Sequence, residues 1–362
     1  MHPYSNLPPR AFWKKFVSDV AWRDLPLNDT PKFQLLRSDK VATAGSCFAQ
    51  HIARYMKKVG MAPYIAEPAH PLMHQFGGEV ESYQQFSARY GNIYTTRQCL
   101  ELFQQAFGQR PMIEDFFEQD GRWYDLVRPS VVKAGFASLE EARADRAYHL
   151  GRVKHMFETA DVFIFTLGLT ECWLNTETGH TYPACPGTVK GEFDPEKHVF
   201  RNLTCTEVVA DLEALVAALT EVNPALKIIF TVSPVPLVAT RSERNVLVAS
   251  SYSKSVLRAA VGEVEARHAQ VAYFPSFEII SHAASFGQYL ASDLREVTER
   301  GVSHVMGCFL SSFYPELAAA GSSSSTAAAP AASVASSSPA AAATPELAPP
   351  VECDELFNDV RA

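Results

Sequence analysis

The sequence predicts an α/β fold, with a mostly parallel sheet held between two layers of helices. Three observations lead there. Short apolar runs recur along the chain, among them Asp161-Val162-Phe163-Ile164-Phe165-Thr166-Leu167 and Leu226-Lys227-Ile228-Ile229-Phe230-Thr231-Val232. Their length and β-branched or aromatic content suit strands covered on both faces. Between them lie amphipathic helical patterns, and strands spaced by long helices imply right-handed crossovers and parallel pairing. Finally, turn-forming motifs stand at the ends of the runs, where open parallel sheets gather their ligands.

Residues 1–40 read as an N-terminal extension. Val41-Ala42-Thr43-Ala44 is a short strand of small residues, and the following helix carries Phe48, Ile52, Tyr55, Met56 and Val59 on one face before Gly60 stops it. Residues 61 to 160 are rich in Tyr, Phe and Gln, include Tyr90-Gly91-Asn92-Ile93-Tyr94, and read as an insertion or cap on the same domain. After the strand at 161–167, Thr204 and Glu207 form a capping box for a helix bearing Val208, Leu212, Leu215, Val216 and Leu219, which ends at Asn223-Pro224. The strand at 226–232 is stopped by Ser233-Pro234-Val235-Pro236, and a long helix covers about Glu243 to His268. Val271-Ala272-Tyr273-Phe274 is a further strand, and the last helix, from near Thr298, buries Val302, Val305, Met306, Phe309 and Phe313. The domain therefore spans residues 41–315. Residues 316–350 are almost only Ala, Ser, Pro and Thr, too poor in apolar bulk to offset the entropy of ordering, and are expected to be a disordered linker. The acidic tail at 351–362 reads as a frayed terminus rather than a docking peptide.

Composition narrows the function. The 362 residues carry 32 basic and 40 acidic side chains, a formal charge of -8, with no basic run, which argues against nucleic acid as a partner. No stretch of about 18 apolar residues is present, so no membrane span is expected, and the N-terminus does not read as a signal peptide. Seven scattered cysteines without a CxxC pair disfavour a disulfide framework or a zinc site and fit a reducing, cytoplasmic compartment. Without HExxH, GxGxxG or Walker-type loops, neither a metal nor NAD or ATP is expected as a cofactor. The sequence leaves the oligomeric state open.

Ser46 is the candidate centre of the chemistry. It follows a strand and precedes a helix, where backbone N–H groups favour developing negative charge; the ordinary reading of such a serine is a helix cap. Four further segments accompany it: Thr166-Leu167-Gly168-Leu169-Thr170-Glu171, Cys185-Pro186-Gly187-Thr188, Phe230-Thr231-Val232-Ser233-Pro234-Val235-Pro236-Leu237 and Tyr252-Ser253-Lys254-Ser255-Val256-Leu257-Arg258. With Gly45-Ser46-Cys47-Phe48-Ala49, they resemble the GSCFA family over most of residues 40 to 310.

That family is similar to the SGNH hydrolases, the GDSL-type esterases and acyltransferases, so the resemblance implies a flavodoxin-like, SGNH hydrolase-like domain. It also implies Ser46 as nucleophile and Gly91, with Asn92 beside it, as oxyanion donors. Gly168-Leu169-Thr170-Glu171 takes the place of a Gly-x-Asn-Asp block, with Thr170 where the Asn is usual. Asp293-Leu294-Arg295-Glu296 takes the place of Asp-x-x-His, which puts Glu296 at the histidine position and makes Asp293 the residue that orients the base.

A serine hydroxyl needs an adjacent base, and its identity stays open between Glu296, His304 and a loop histidine such as His180, His198 or His282. His304 falls off the apolar stripe of the last helix and reads as a surface residue. His51 reads as a packing or capping residue. Cys47, at a helix start, is a second candidate nucleophile but reads better as a small buried residue. Glu171 is a candidate to orient a base or bind a substrate hydroxyl, or else a helix-start carboxylate. The implied activity is that of a serine-dependent ester hydrolase or acyltransferase. Its substrate would be a small-molecule or glycan ester, an acylated carbohydrate among them, with an acyl-CoA donor in the transferase version. The alternative is a catalytically degenerate protein that binds a glycan or acyl ligand in the same cleft.

Overall fold

The computed structural model describes residues 2–20, 25–27, 29–71, 73 and 81–316. The linker from residue 317 onward and the acidic tail lie outside the described residues. Strand β1 (Val41–Gly45) leads into α1 (Ala49–Lys58). Then come α2 (Thr96–Ala106), a hairpin of β2 (Phe116–Gln119) and β3 (Arg122–Asp125), and α3 (Leu139–Thr159). β4 (Val162–Leu167) is followed by β5 (Glu171–Asn175), β6 (Thr181–Tyr182) and β7 (His198–Asn202). The chain closes with α4 (Cys205–Val222), β8 (Lys227–Val232), α5 (Val246–Arg267), β9 (Val271–Phe274), α6 (Ser276–Ser281) and α7 (Glu299–Phe313).

Four strands, in the order β1-β4-β8-β9, form one parallel sheet. Gly45 pairs with Thr166, Thr166 with Thr231 and Thr231 with Phe274, so the carboxyl ends of all four strands finish at one edge. The side chains alternate as a pleat requires. Phe163, Phe165 and Leu167 of β4, with Ile228, Phe230 and Val232 of β8, pack into one core, with α2, α3, α4 and α5 above it. Val162, Ile164, Ile229, Ala272 and Phe274 face the other core, shared with α1, α6 and α7. Each fully buried Phe or Ile of these strands contributes roughly 1.5–3 kcal/mol. The result is the three-layer α/β/α arrangement that the strand–helix alternation predicts. The capping box of α4 also forms: Glu207 N donates to Thr204 Oγ1 at 3.3 Å and Thr204 N to Glu207 Oε2 at 2.9 Å.

The long segment after α1 goes deeper than a cap, because its helices α2 and α3 are part of the core layer on the sheet. The buried face of α3 is Ala142, Arg146, His149, Leu150, Val153, Met156 and Phe157. Its helical spacing is regular, but an arginine and a histidine occupy core positions and break the apolar pattern. A second, antiparallel sheet, β6-β5-β7, stands at the carboxyl edge of the first and begins directly after Gly168-Leu169-Thr170. Its short strands mix Glu, Asn, Arg and His with apolar residues, so they give no continuous run. Among the described residues no helix is long and apolar enough to cross a membrane.

Candidate functional site

The site begins with the close approach of β1 and β4. Gly45 has φ +140°, and a Cβ there would lie 2.4 Å from the Thr166 carbonyl oxygen, so only glycine fits. The chain then turns: Ser46 N donates to Thr166 O at 3.1 Å, and Ala49 N donates to Ser46 O at 2.8 Å at the entry to α1. Ser46 is buried, and its Oγ has no hydrogen-bond partner among the described residues. It does not cap α1, whose N-cap residue, Phe48, makes no side-chain cap bond. An unsatisfied buried hydroxyl costs about 1–3 kcal/mol, and such a group in a native fold calls for an explanation in function.

Two segments close in on it. Residues 87–93 run beside the outer edge of β1, where Ile93 N donates to Gly45 O at 2.8 Å. Asn92 directly precedes that bond, and its Oδ1 accepts from Gln50 Nε2, on the first turn of α1, at 3.4 Å. Gly91 takes a left-handed φ of +69° to make the bend. From the other side, a methyl on Gly168 would come within 3.1 Å of Ser46 Cβ and of the Tyr94 carbonyl oxygen. Ser46 and Gly168 therefore pack together at the carboxyl edge, and the segment that carries Gly91-Asn92 is hydrogen-bonded to the end of β1. The Gly168 N–H is not available as an oxyanion donor, because it and the Leu169 N–H both donate to Tyr94 O at 2.9 Å. Gly168 serves as a packing surface instead.

The segment that carries Asn92 is fastened by buried charges. Arg89 pairs with Asp145 at 2.8 Å, Arg128 with Asp125 and Asp145 at 2.8 Å each, and Arg146 lies 3.6 Å from Asp125. Glu67 accepts from Arg89 N at 2.7 Å and meets His149 Nδ1 at 2.7 Å. Burial alone would raise the Asp125 pKa, but the Arg146 and Arg128 charges outweigh it and hold the carboxyl below its usual range. Burial, reinforced by Arg128, takes His149 down to about 4.

None of the remaining candidates bonds Ser46 Oγ. Thr170 is engaged structurally: its N–H donates to Ser253 Oγ at 3.0 Å and its hydroxyl to Asn202 Oδ1 at 2.7 Å. Glu171 opens a strand, not a helix, and accepts from Thr240 Oγ1 at 2.6 Å and from Arg241 N at 3.4 Å. Asp293 is exposed and caps its own turn, accepting from the N–H groups of Arg295 and Glu296 at 3.0 Å each, and those bonds lower its pKa. Arg295 Nε donates to Pro236 O at 3.2 Å, which holds this turn against the loop after β8. Glu296 is exposed.

His304 is half-buried, not a surface residue. The segment before α7 folds over that side of the helix, and the Tyr289 ring stacks on His304 at 5.1 Å and 15°. His282 is also half-buried. His180 and His198 are buried in the second sheet, with His180 Nε2 3.4 Å from Asp115 and both rings against Tyr182. His51 lies against Phe48, and burial, with the charge of Arg54, takes it down to about 4. None of these histidines, nor Glu296, bonds Ser46 Oγ. Among the described residues no group of three or more His, Cys, Asp or Glu side chains could hold a metal ion.

One side chain at the site had no role assigned from sequence. Lys254 of α5 is 3% exposed, and its Nζ donates to Gly168 O at 2.7 Å. The available signal was register: Ser250, Lys254, Leu257 and Val261 share the buried face of α5, where a lysine is out of place. Beyond Gly168, a cavity of about 320 Å³ opens between the second sheet and the loop after β8. Leu169, Trp173, Phe200 and Leu237 supply apolar walls, and Glu171 and Arg241 supply polar ones.

Residues 40–309 match the model of the GSCFA family. No curated protein matches the chain. Among solved structures, it is similar to an acetyl esterase, a serine-to-alanine mutant with acetate ion, at 11% identity and TM-score 0.34, covering 79% of this chain and 100% of that one. A second, from Streptococcus pneumonia and provisionally described as a platelet activating factor, has 14% identity and TM-score 0.27, covering 43% of this chain and 61% of that one.

Proposed function

The chain belongs to the GSCFA family, and from that premise we propose that it is a serine-dependent ester hydrolase or acyltransferase acting through Ser46. The observation that carries this reading is the Ser46 hydroxyl itself. It is held at a strand-to-helix turn on the carboxyl edge of a parallel sheet, where such folds place their ligands, and it is neither a cap nor bonded to any described group. In the proposed reaction Oγ attacks the acyl carbon, and the oxyanion that forms is met by the Asn92 amide and by N–H groups at the start of α1. Water or an acceptor hydroxyl then takes the acyl group, and in the transferase version acyl-CoA supplies it. The hydroxyl is closed off from solvent, so substrate enters by displacing side chains packed over it.

The substrate class we favour is an acylated carbohydrate or a similar small ester. Trp173 and Phe200 offer ring faces, and Glu171 and Arg241 offer hydrogen bonds to hydroxyls, in a cavity that begins one residue from Gly168. A second reading, a binding protein that has lost catalysis, is favoured by the lack of any histidine or carboxylate bonded to Ser46 Oγ. Turnover of a panel of short acyl esters separates them. The enzyme reading expects Ser46→Ala to lower the rate by two orders of magnitude or more. An unchanged rate in Ser46→Ala removes it, and ligand-induced stabilisation without turnover in either protein favours the binder.

A further inference from the structure

We infer that Lys254 is the general base for Ser46, in a serine–lysine dyad built across Gly168; this rests on the serine chemistry proposed above. Three observations converge. Ser46 Oγ has no partner among the described residues, and none of the histidines and carboxylates considered from sequence bonds it. Lys254 is an amine-bearing side chain buried at the carboxyl edge of the sheet, on the helix packed over β4 and β8. A single residue links the two: Gly168 gives its carbonyl oxygen to Lys254 Nζ at 2.7 Å, while a methyl on its α-carbon would come within 3.1 Å of Ser46 Cβ.

The placement also accounts for an otherwise costly feature. Lysine is almost never fully buried unless it is paired or functional, and a lysine held out of water is a known route to a catalytic base. The Gly168 carbonyl fixes Nζ on the residue that packs against Ser46, and the base role requires Nζ to swing from that oxygen to Oγ, which it does not bond in the resting structure. There the unprotonated amine takes the Oγ proton as the Oγ–carbon bond forms. The resulting ammonium passes that proton to the departing alkoxide oxygen as the ester C–O bond breaks. In the second half, the amine takes a proton from water as the water oxygen attacks the acyl carbon. It returns that proton to Ser46 Oγ as the acyl–enzyme bond breaks. Ester and water become acid and alcohol, with no other reactant.

The test is the rate at which p-nitrophenyl acetate acetylates Ser46, followed by intact mass and peptide mapping, in wild type, Lys254→Arg and Lys254→Met. Arginine still offers N–H donors to the Gly168 carbonyl but cannot give up its proton. A base role therefore predicts that both variants lose at least about 100-fold while the Arg variant still unfolds near the wild-type temperature. A merely structural role predicts that Arg restores the rate and Met does not, and that result overturns the assignment. If Arg does not fold, wild-type acetylation rates in a folded Met variant overturn it equally. Acetylation of wild type with unchanged rates in the variants leaves the serine chemistry standing without the lysine. No acetylation of Ser46 in wild type removes the serine chemistry, and this assignment with it.

Discussion

Gly168 lies directly against Ser46: its missing side chain leaves the space in which the serine sits, and a methyl there would stand 3.1 Å from Ser46 Cβ and equally close to the Tyr94 ring and carbonyl. Two of those neighbours cannot retreat cheaply, one being backbone and the other the site residue. Gly168→Ala should therefore cost roughly 1–3 kcal/mol, as overpacking does, and should depress Ser46 reactivity more than it lowers stability. Urea unfolding combined with an esterase assay checks this. A variant with wild-type activity would show that the contact has no bearing on the site.

The buried ion network that holds Asn92 against the sheet should fail when one member is removed. Arg128 touches Asp125 and Asp145 and also donates to the Arg89 carbonyl at 3.3 Å, so Arg128→Met leaves Asp125 facing Arg146 at 3.6 Å and Asp145 paired with Arg89 alone. Breaking such a pair typically costs about 3–5 kcal/mol. Chemical denaturation of the variant measures the loss, and a change below 1 kcal/mol would mean that water reaches the network.

Stability should fall with acid well before the carboxylates titrate. His149 has its native pKa held down to about 4, from an ordinary 6.5 in the unfolded chain. Between those values the unfolded chain binds a proton that the native protein refuses. Its contribution is therefore complete above about pH 6.5 and is lost as the pH falls towards 4, at about 1.4 kcal/mol per pH unit. His51, also held at about 4, adds to the same slope. The carboxyls of Asp125 and Glu67, held below their usual range, lose their contribution only at lower pH. Urea unfolding from pH 7 to 4 reads the slope. His149→Gln should flatten it by about one proton, and an identical slope in the variant would contradict the burial argument.

The sequence made the parallel sheet legible because Val162–Leu167 and Lys227–Val232 are covered on both faces and read as unbroken apolar runs. α3 was hidden because Arg146 and His149 take core positions in its buried stripe. The second sheet was hidden because Glu171–Asn175 and His198–Asn202 alternate in burial and charge without a run. At the site, motif order singled out Ser46 and the Gly91-Asn92 bend as candidates. The role of Lys254 could not: its meaning depends on the bond to Gly168, made across 86 positions of the chain. Asp293 was a candidate orienting carboxylate from the motif order, and in the fold its Oδ1 accepts from the N–H groups of Arg295 and Glu296.

The central claim is that Ser46 is a nucleophile, and covalent labelling tests it most directly. Wild type and Ser46→Ala would be incubated with a fluorophosphonate serine-hydrolase probe, weighed intact and mapped by peptide mass. Wild type should carry a single adduct, on the peptide containing Ser46, and Ser46→Ala none. A wild-type protein that stays unlabelled at saturating probe, or an adduct that persists in Ser46→Ala, would contradict the claim.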